Sequence, residues 1–393
     1  MTDETLLAPR AQASDSMVHV NRADRMATFN LDDMPIPGGR EEDWRFTPMR
    51  RFRHIFDMAT YDPDDAPLRV DAPQQVQVET VGRDDPRLGT VMAPSDRAAV
   101  VAWNGFEHAT IVTIPRETVI KDPVRITVDD FSGAHYQHLL IRAEEHASAT
   151  VLITHNESAE AALNQTIEID AADASQLTVV SVQEWDDTTV HAAHHRMIVG
   201  RDAHLRHIVV SLGGDLVRIN AEAGFAGPGA SLTMLGLYFV DAEQHLEHRV
   251  FVDHSEPNCF SRVTYKGALQ GDNAHSVWIG DCLIQEKADG TDTYELNRNL
   301  VLTEGAKADS VPNLEIENGE IAGAGHASAT GRFDDEQLFY LMSRGVSERD
   351  ARRLVVRGFF AELIQHIGVP ELQEHLIDAI EKELAHNSHT ATV

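Results

Sequence analysis

A short turn built from small residues returns along this chain at an almost fixed interval, and few folds tolerate that. It appears in His146-Ala147-Ser148-Ala149, Asp173-Ala174-Ser175-Gln176, Asp202-Ala203-His204-Leu205, Gly229-Ala230-Ser231-Leu232 and Gly305-Ala306-Lys307-Ala308. The alanines at 147, 174, 203 and 230 lie 27, 29 and 27 residues apart, and the further 76 residues to position 306 are close to three more units. Repeats of this length arise when coils stack so that each buries its neighbour's apolar face. The spacing predicts a β-helix or a closely related solenoid, with two or three strands per coil. A β-sandwich or barrel also has closely spaced strands and is the competing architecture. The fixed recurrence of the turn favours the β-helix.

The segments between the turns agree with strands. Ala109–Ile114, Val124–Val128, His138–Ile141, Thr150–Thr154, Thr166–Ile169, Leu177–Val182 and Ile208–Leu212 are short, rich in β-branched residues and bounded by Gly, Asp, Asn or Pro. Three regions follow: residues 1–97, helical or irregular; 98–332, the β core; and 333–393, a C-terminal helical domain. A solenoid must cap its ends, and the two flanking regions would do that. Within the last region Asp334 with Gln337 reads as a capping box and Gly345 as the C′ residue of a first helix. Ser347-Glu348-Arg349-Asp350 opens a second helix that Gly368 ends, and Pro370 opens a third. The tail from His386 reads as polar and frayed.

With 63 acidic against 33 basic residues, the formal charge of −30 argues against a nucleic-acid or anionic-membrane partner, since both need basic footprints. No Gly-rich loop ends in Gly-Lys-Ser/Thr, so if ATP drives the function another chain hydrolyses it. Two cysteines, Cys259 and Cys282, fit a reducing compartment and are too few for a four-cysteine metal site. They read as small core thiols. The N-terminus shows no signal-peptide pattern and no stretch is apolar enough to span a membrane, so the expected location is cytoplasmic.

Among the 21 histidines, His191-Ala192-Ala193-His194-His195 looks like a metal motif. On a strand, however, His191 and His195 share one face while His194 points to the other. The pairs His135/His138 and His204/His207 divide in the same way, and His245/His248 sit at a polar strand edge. All of these read as solvated or hydrogen-bonded surface histidines. His326 differs. It lies in the Gly/Ala-rich stretch Gly325–Gly331, read as a loop where scaffold meets helices, and a neutral imidazole there suits iron or zinc. Trp44 and Phe46, in the box Arg40–Phe52, read as aromatic anchors of an arm packed on the main body.

Four stretches together carry a family resemblance. They are Glu41-Glu42-Asp43-Trp44-Arg45-Phe46-Thr47-Pro48; His254-Ser255 with Ser261 through Leu269; Asn297-Arg298-Asn299 leading to Val311–Ile316; and His326 through Phe359. In these the chain resembles the SufB/SufD family of iron–sulfur cluster assembly proteins, and its SufD branch most. The resemblance implies a mainly β fold, a right-handed parallel β-helix core flanked by N- and C-terminal helical segments. It implies a non-catalytic scaffold subunit of a SufBCD-type complex, with a SufB-like β-helix subunit and a SufC-like ABC-type ATPase as partners. Pairing of two copies of this chain is left open. No cofactor would be held stably; a transient iron–sulfur cluster would be shared with the partner at the subunit interface, with His326 as its ligand. Two departures are visible, Ala324 where relatives often carry cysteine and Ala327 where they often carry Gly or Glu.

Arg344, Phe359, Gly358 and Tyr340 are the residues expected to meet the ATPase; packing between helices is the other reading of Arg344 and Phe359. An alternative of a different class is a free-standing β-helix enzyme acting on polysaccharide, which would place Glu168, Asp170, Glu315 and Glu317 along a groove. Four tryptophans and six tyrosines are few for a sugar-stacking surface.

Overall fold

The computed structural model describes residues 25–386 apart from 157, 159 and 334. The Asp334 half of the expected capping box and the tail beyond His386 therefore lie outside the described residues. Inward-facing apolar side chains alternating with outward ones at period two build two sheets that face each other. Sheet I runs in the order β1 (Arg69–Asp71), β4 (Val124–Val128), β6 (Ser148–His155), β8 (Gln176–Gln183), β10 (His204–Ser211), β12 (Ser231–Val240), β14 (Phe260–Leu269), β16 (Asp292–Val301), β18 (Gly323–Arg332). Sheet II runs β17 (Lys307–Ile316), β15 (His275–Ile284), β13 (His245–His254), β11 (Leu216–Phe225), β9 (Val190–Val199), β7 (Ala161–Ala171), β5 (Gly133–Ala143), β3 (His108–Ile114), β2 (Gln77–Gly82).

Successive strands of each sheet pair in parallel, so the chain winds a β-solenoid of about eight turns. The expected β-helix is the observed fold, and the sandwich is not. The exceptions to parallel pairing are β1 on β4 and β2 on β3, both antiparallel, which close the first coil. These two strands belong to the same sheets although they precede residue 98. Conversely, the start of the stretch read as β is a helix, α2 (Arg97–Gly105), because Asp96 caps it through the Ala99 N–H and a run of small residues lets it lie flat on sheet II.

The recurring turn has a conformational cause. Ahead of the sheet I strands, Glu117, His146, Ala174, Asp202, Gly229, Asn258 and Gly290 all adopt positive φ, from 53° to 75°. The residue after six of these corners, Ala147, Ser175, Ala203, Ala230, Cys259 and Thr291, is buried and small. Two expectations need correction. Ala174 is itself the left-handed residue and Ser175 takes the stacked place. Ala306 belongs to the opposite corner, one residue before the His275–Lys307 pair, after Gly305 with φ of 89°. Both corners use small residues, so the two series merge in sequence. Cys259 occupies one of the stacked corner positions, which is why a thiol is buried there.

Inside the solenoid the coils interlock. Tyr238 pairs in register with Gly267, and Gly236 with Tyr265. A Cβ at Gly267 would lie 1.8 Å from the Tyr238 ring, and one at Gly236 would lie 1.9 Å from Tyr265. Each glycine is thus the slot for the other coil's ring.

The arm containing α1 (Met49–Phe52) docks on the outer face of sheet II. Trp44 is buried with the Arg218 guanidinium 4.0 Å from its ring centroid, so it is the anchor expected, whereas Phe46 is only half-buried. Arg218 also donates to Asp96 at 2.8 Å, Thr47 donates to Glu247 at 2.8 Å, and Asp43 pairs with Arg249 at 2.6 Å. Burial opposes ionisation here, yet the hydrogen bond from His245 and the Arg218 and Arg249 guanidiniums hold the Glu247 carboxyl down at about 2. Each charge in the network faces an opposite one, the condition under which buried charge is tolerated, although Arg249 Nη1 lies 3.6 Å from Glu247 and makes no hydrogen bond.

Filling the glycine slots should be costly. Gly267→Ala is expected to destabilise the fold by about 1–3 kcal/mol, because a buried aromatic must leave its rotamer; the shift in the urea midpoint measures it, and an unchanged midpoint would show that the rings have other room.

Candidate functional site

The sheets end in the antiparallel strands β1 and β2 at the first coil and in the parallel strands β18 and β17 at the last. Among the described residues β17 and β18 have no strand beyond them, so each presents a row of backbone groups to solvent or to another chain. Pro312 removes one donor from β17, while β18, apart from His326 and Arg332, is built from Gly, Ala, Ser and Thr with no proline. The two edges are therefore chemically unlike.

His326 lies within β18, not in a loop, and its side chain is exposed. It pairs in register with Glu295 of β16. Residues paired across parallel strands point to the same face, and two neighbours fix which face this is. Ala324 packs on Cys282 and Ile284 inside the solenoid, and Thr330 receives a hydrogen bond from the inward-facing Asn299 at 3.3 Å. His326 thus faces the interior from the last strand, at the mouth of the lumen.

The lumen holds polar side chains as well as Val, Ile and Leu, with His155, Gln165, Gln183, His195 and His207 facing it in the middle coils. In the last coils Ser261, Thr293, Glu295, Asn297, Asn299 and Ser310 face it beside Val263, Tyr265 and Trp278. Tyr238 Oη donates to Asn299 at 2.6 Å, Asn297 donates to Tyr238 at 3.0 Å, and Asn299 donates to Asn297 at 2.8 Å. A second chain runs from His254 to Ser261 at 2.8 Å, then to Thr293 at 2.6 Å and Cys282 at 3.5 Å. Glu295 joins neither chain. It is 1 % exposed and neither carboxyl oxygen has a hydrogen-bond partner. Burial, then the nearby Asp281 carboxylate, push it up to about 8. Burial, then Glu295, also push the Cys282 thiol well above its ordinary range, so it is held protonated. Glu295 was not singled out in the sequence; the signal was the period-two run Thr293, Glu295, Asn297, Asn299, which reads equally well as a solvent-facing strand.

Of the other histidines read as surface groups, His204 is exposed as expected and the rest are not. His191, His194, His195, His207, His245 and His248 are buried, as are His135 and His138. His191 accepts from the Trp185 indole at 3.0 Å, and His195 and His207 share a hydrogen bond at 2.8 Å inside the solenoid. His194 faces the other way, to Asn164 at 3.1 Å, as the strand alternation requires. Burial holds His207 and His248 at about 3 and His194 at about 4, so all three are neutral at neutral pH. Among the described residues no group of three His, Cys, Asp or Glu is arranged to hold a metal ion. Glu168, a groove carboxylate in the polysaccharide reading, is buried under Gly89 and Val91 N–H groups and His138.

A second surface lies on the helices α3 (Asp335–Ser343), α4 (Glu348–His366) and α5 (Pro370–His386). Their ends follow the sequence signals: Gly345 and Gly368 have φ of 87° and 74°, and the Ser347 hydroxyl accepts from the Asp350 N–H at 3.2 Å. Phe360, Leu363, Ile364, Leu372, Leu376 and Ile380 bury against the outward face of sheet I. Phe359 is half-buried at that join, with Lys266 donating to its carbonyl and to Glu362. By contrast Tyr340, Arg344 and Gly358 are exposed, Arg344 lying 4.9 Å from the Tyr340 ring centroid. Phe339, Met342 and Leu354 are exposed beside them in sequence, Phe339 by 74 %. Among the described residues no helix is long and apolar enough to cross a membrane.

Residues 125–359 match the family described as SUF system FeS cluster assembly, SufBD core domain. The chain is 51 % identical over 387 residues to an iron–sulfur cluster assembly SufBD family protein of Mycobacterium tuberculosis, covering 96 % of this chain and 97 % of that one. It is 29 % identical to the iron–sulfur cluster assembly protein SufD of Escherichia coli over 65 % of this chain and 60 % of the relative. For SufD of Bacillus subtilis the figures are 26 %, 70 % and 66 %.

The raised Glu295 carboxyl sets a direction for stability against pH. The folded state keeps its proton to about 8 whereas an exposed glutamate loses it near about 4.3, so the contribution is whole below the unfolded value and is lost as pH rises through the folded one. Glu295→Gln removes this dependence. Relative to the parent it should gain stability from about pH 5 upward, by as much as about 5 kcal/mol above about pH 9. Urea midpoints at both pH values measure the gain; a pH-independent difference would show that Glu295 is not held protonated.

Proposed function

Because the chain belongs to the SufBD family of iron–sulfur cluster assembly proteins, and within it is SufD-like, we propose that it is the non-catalytic scaffold subunit of a cytoplasmic SufBCD-type complex. The observation that carries this reading is the open last coil, with two unpaired sheet edges around a polar lumen mouth that His326 faces. A SufB-like β-helix would join at that end, and iron and sulfide, the cargo, would meet between the two mouths. His326 is the ligand this chain would offer to the nascent cluster. Its exposure on an edge strand, which no strand covers among the described residues, supports that role. In functional terms residues 98–332 are the scaffold, 333–393 the docking domain and 1–97 the stabilising arm.

An ABC-type ATPase would dock on the exposed patch of α3 and α4, through Tyr340, Arg344 and Gly358, with Phe359 beneath. Exposed apolar groups rimmed by arginine are a common form of partner site. The patch is well placed to transmit force. α4 is fixed to sheet I by Phe360, Leu363 and Ile364 and by Lys266, which also donates to Glu362. Movement of α4 would therefore pull on the coils next to the open end, and the two subunits would shift at their shared mouth.

Co-expression with a SufB-like and a SufC-like chain tests the assembly: all three should co-elute. Arg344→Glu is expected to weaken capture of the ATPase by at least about tenfold while leaving the β-helix partner bound. His326→Ala should leave the complex whole and lower the cluster yield read by visible absorption. Normal yield from that variant removes the ligand role, and a chain that elutes alone removes the scaffold reading.

A further inference from the structure

We propose that Glu295 is a second cation ligand of this chain, set beside His326 so that the two together form one half of an iron(II)-binding site at the lumen mouth. The inference rests on the reading of His326 as a cluster ligand and adds to it the residue that the geometry leaves waiting. The two residues are register partners on neighbouring strands and face the same interior. Along that rung of sheet I the positions below Glu295 are Val263 and Met234, so the carboxylate is the first charged group met from the mouth inward.

The surroundings of Glu295 lack what a buried carboxylate ordinarily has. Both oxygens are without a hydrogen-bond partner, and the flanking Trp278 indole N–H is also unpartnered. The acidic neighbour is Asp281, and none of the arginines or lysines pairs with Glu295 among the described residues. Room is made for it across the lumen by Gly280, where a Cβ would stand 3.0 Å from Glu295 Oε2. A carboxylate held at such a place gains most from a cation, and an oxygen–imidazole pair suits iron(II) better than it suits a soft metal. Two ligands do not complete a coordination sphere, and among the described residues no third His, Cys, Asp or Glu is arranged to join them. Water or the partner subunit supplies the rest.

Cobalt(II), a spectroscopic substitute for iron(II), tests the site on the full-length chain and on its complex. Titration should give saturable d–d absorption with no thiolate charge-transfer band, since Cys282 is not part of the proposed set. Glu295→Gln, which keeps shape and removes charge, should weaken cobalt binding by at least about tenfold, with the melting temperature equal to or above the parent's. Loss in both Glu295→Gln and His326→Ala supports the pair. Loss in Glu295→Gln alone supports Glu295 and sinks the ligand role of His326. Unchanged binding in Glu295→Gln, or no saturable binding in the parent complex, overturns the proposal while leaving the subunit interface intact.

Discussion

The parallel hydrogen-bond ladder between coils is the constraint on which everything else depends. Each strand takes its register from the one before and hands it to the one after, so a side chain's neighbours lie about one coil away along the chain. Inward residues then form columns. One column of sheet I runs Val124, Val151, Val179, His207, Met234, Val263, Glu295 and His326, apolar over its first three coils and polar at His207 and again at Glu295 and His326. The left-handed residue at each corner keeps this ladder straight. Where the ladder stops, the backbone itself becomes the available surface.

How much of this was legible follows from how local each signal is. The corner turns were legible because left-handed backbone and a small stacked residue are written within a few positions. The helix ends were legible for the same reason: Gly345, Ser347, Gly368 and Pro370 are local signals. The register of the repeat was not, because both corners draw on the same small residues and Ala306 joined the wrong series. The buried histidines escape a sequence reading because a polar side chain suggests the surface, whereas a solenoid brings an inward imidazole against partners across the lumen or at the corner of its own coil. Trp185 for His191 and His207 for His195 are such partners. His326 was found by type and resemblance, but its strand conformation and inward aim come only from pairing with β16. Glu295 was hidden altogether, since whether Thr293, Glu295, Asn297 and Asn299 face water or a lumen depends on strands outside that segment.

The interior carries polar side chains along much of its length, but the middle coils satisfy theirs within the lumen, as with His155 and Gln165 or His195 and His207, whereas Glu295 near the last coil has no such partner. An acid left unpartnered in an interior is a cost in stability of the kind functional sites commonly carry. The buried ion network beneath Trp44 sits on the outer face of sheet II, so the arm reinforces the wall of the solenoid without entering its lumen.

The antiparallel strands at the first coil have a consequence for assembly. A solenoid with two parallel, uncovered ends is a monomer unit for a fibre, since the last coil of one copy could seat the first coil of the next. Here β1 and β2 reverse the strand direction at one end, so head-to-tail stacking meets the wrong ladder. Among the described residues the parallel edges open to a further coil are those of β17 and β18, so a second body seated mouth to mouth on them would leave no free parallel edge behind.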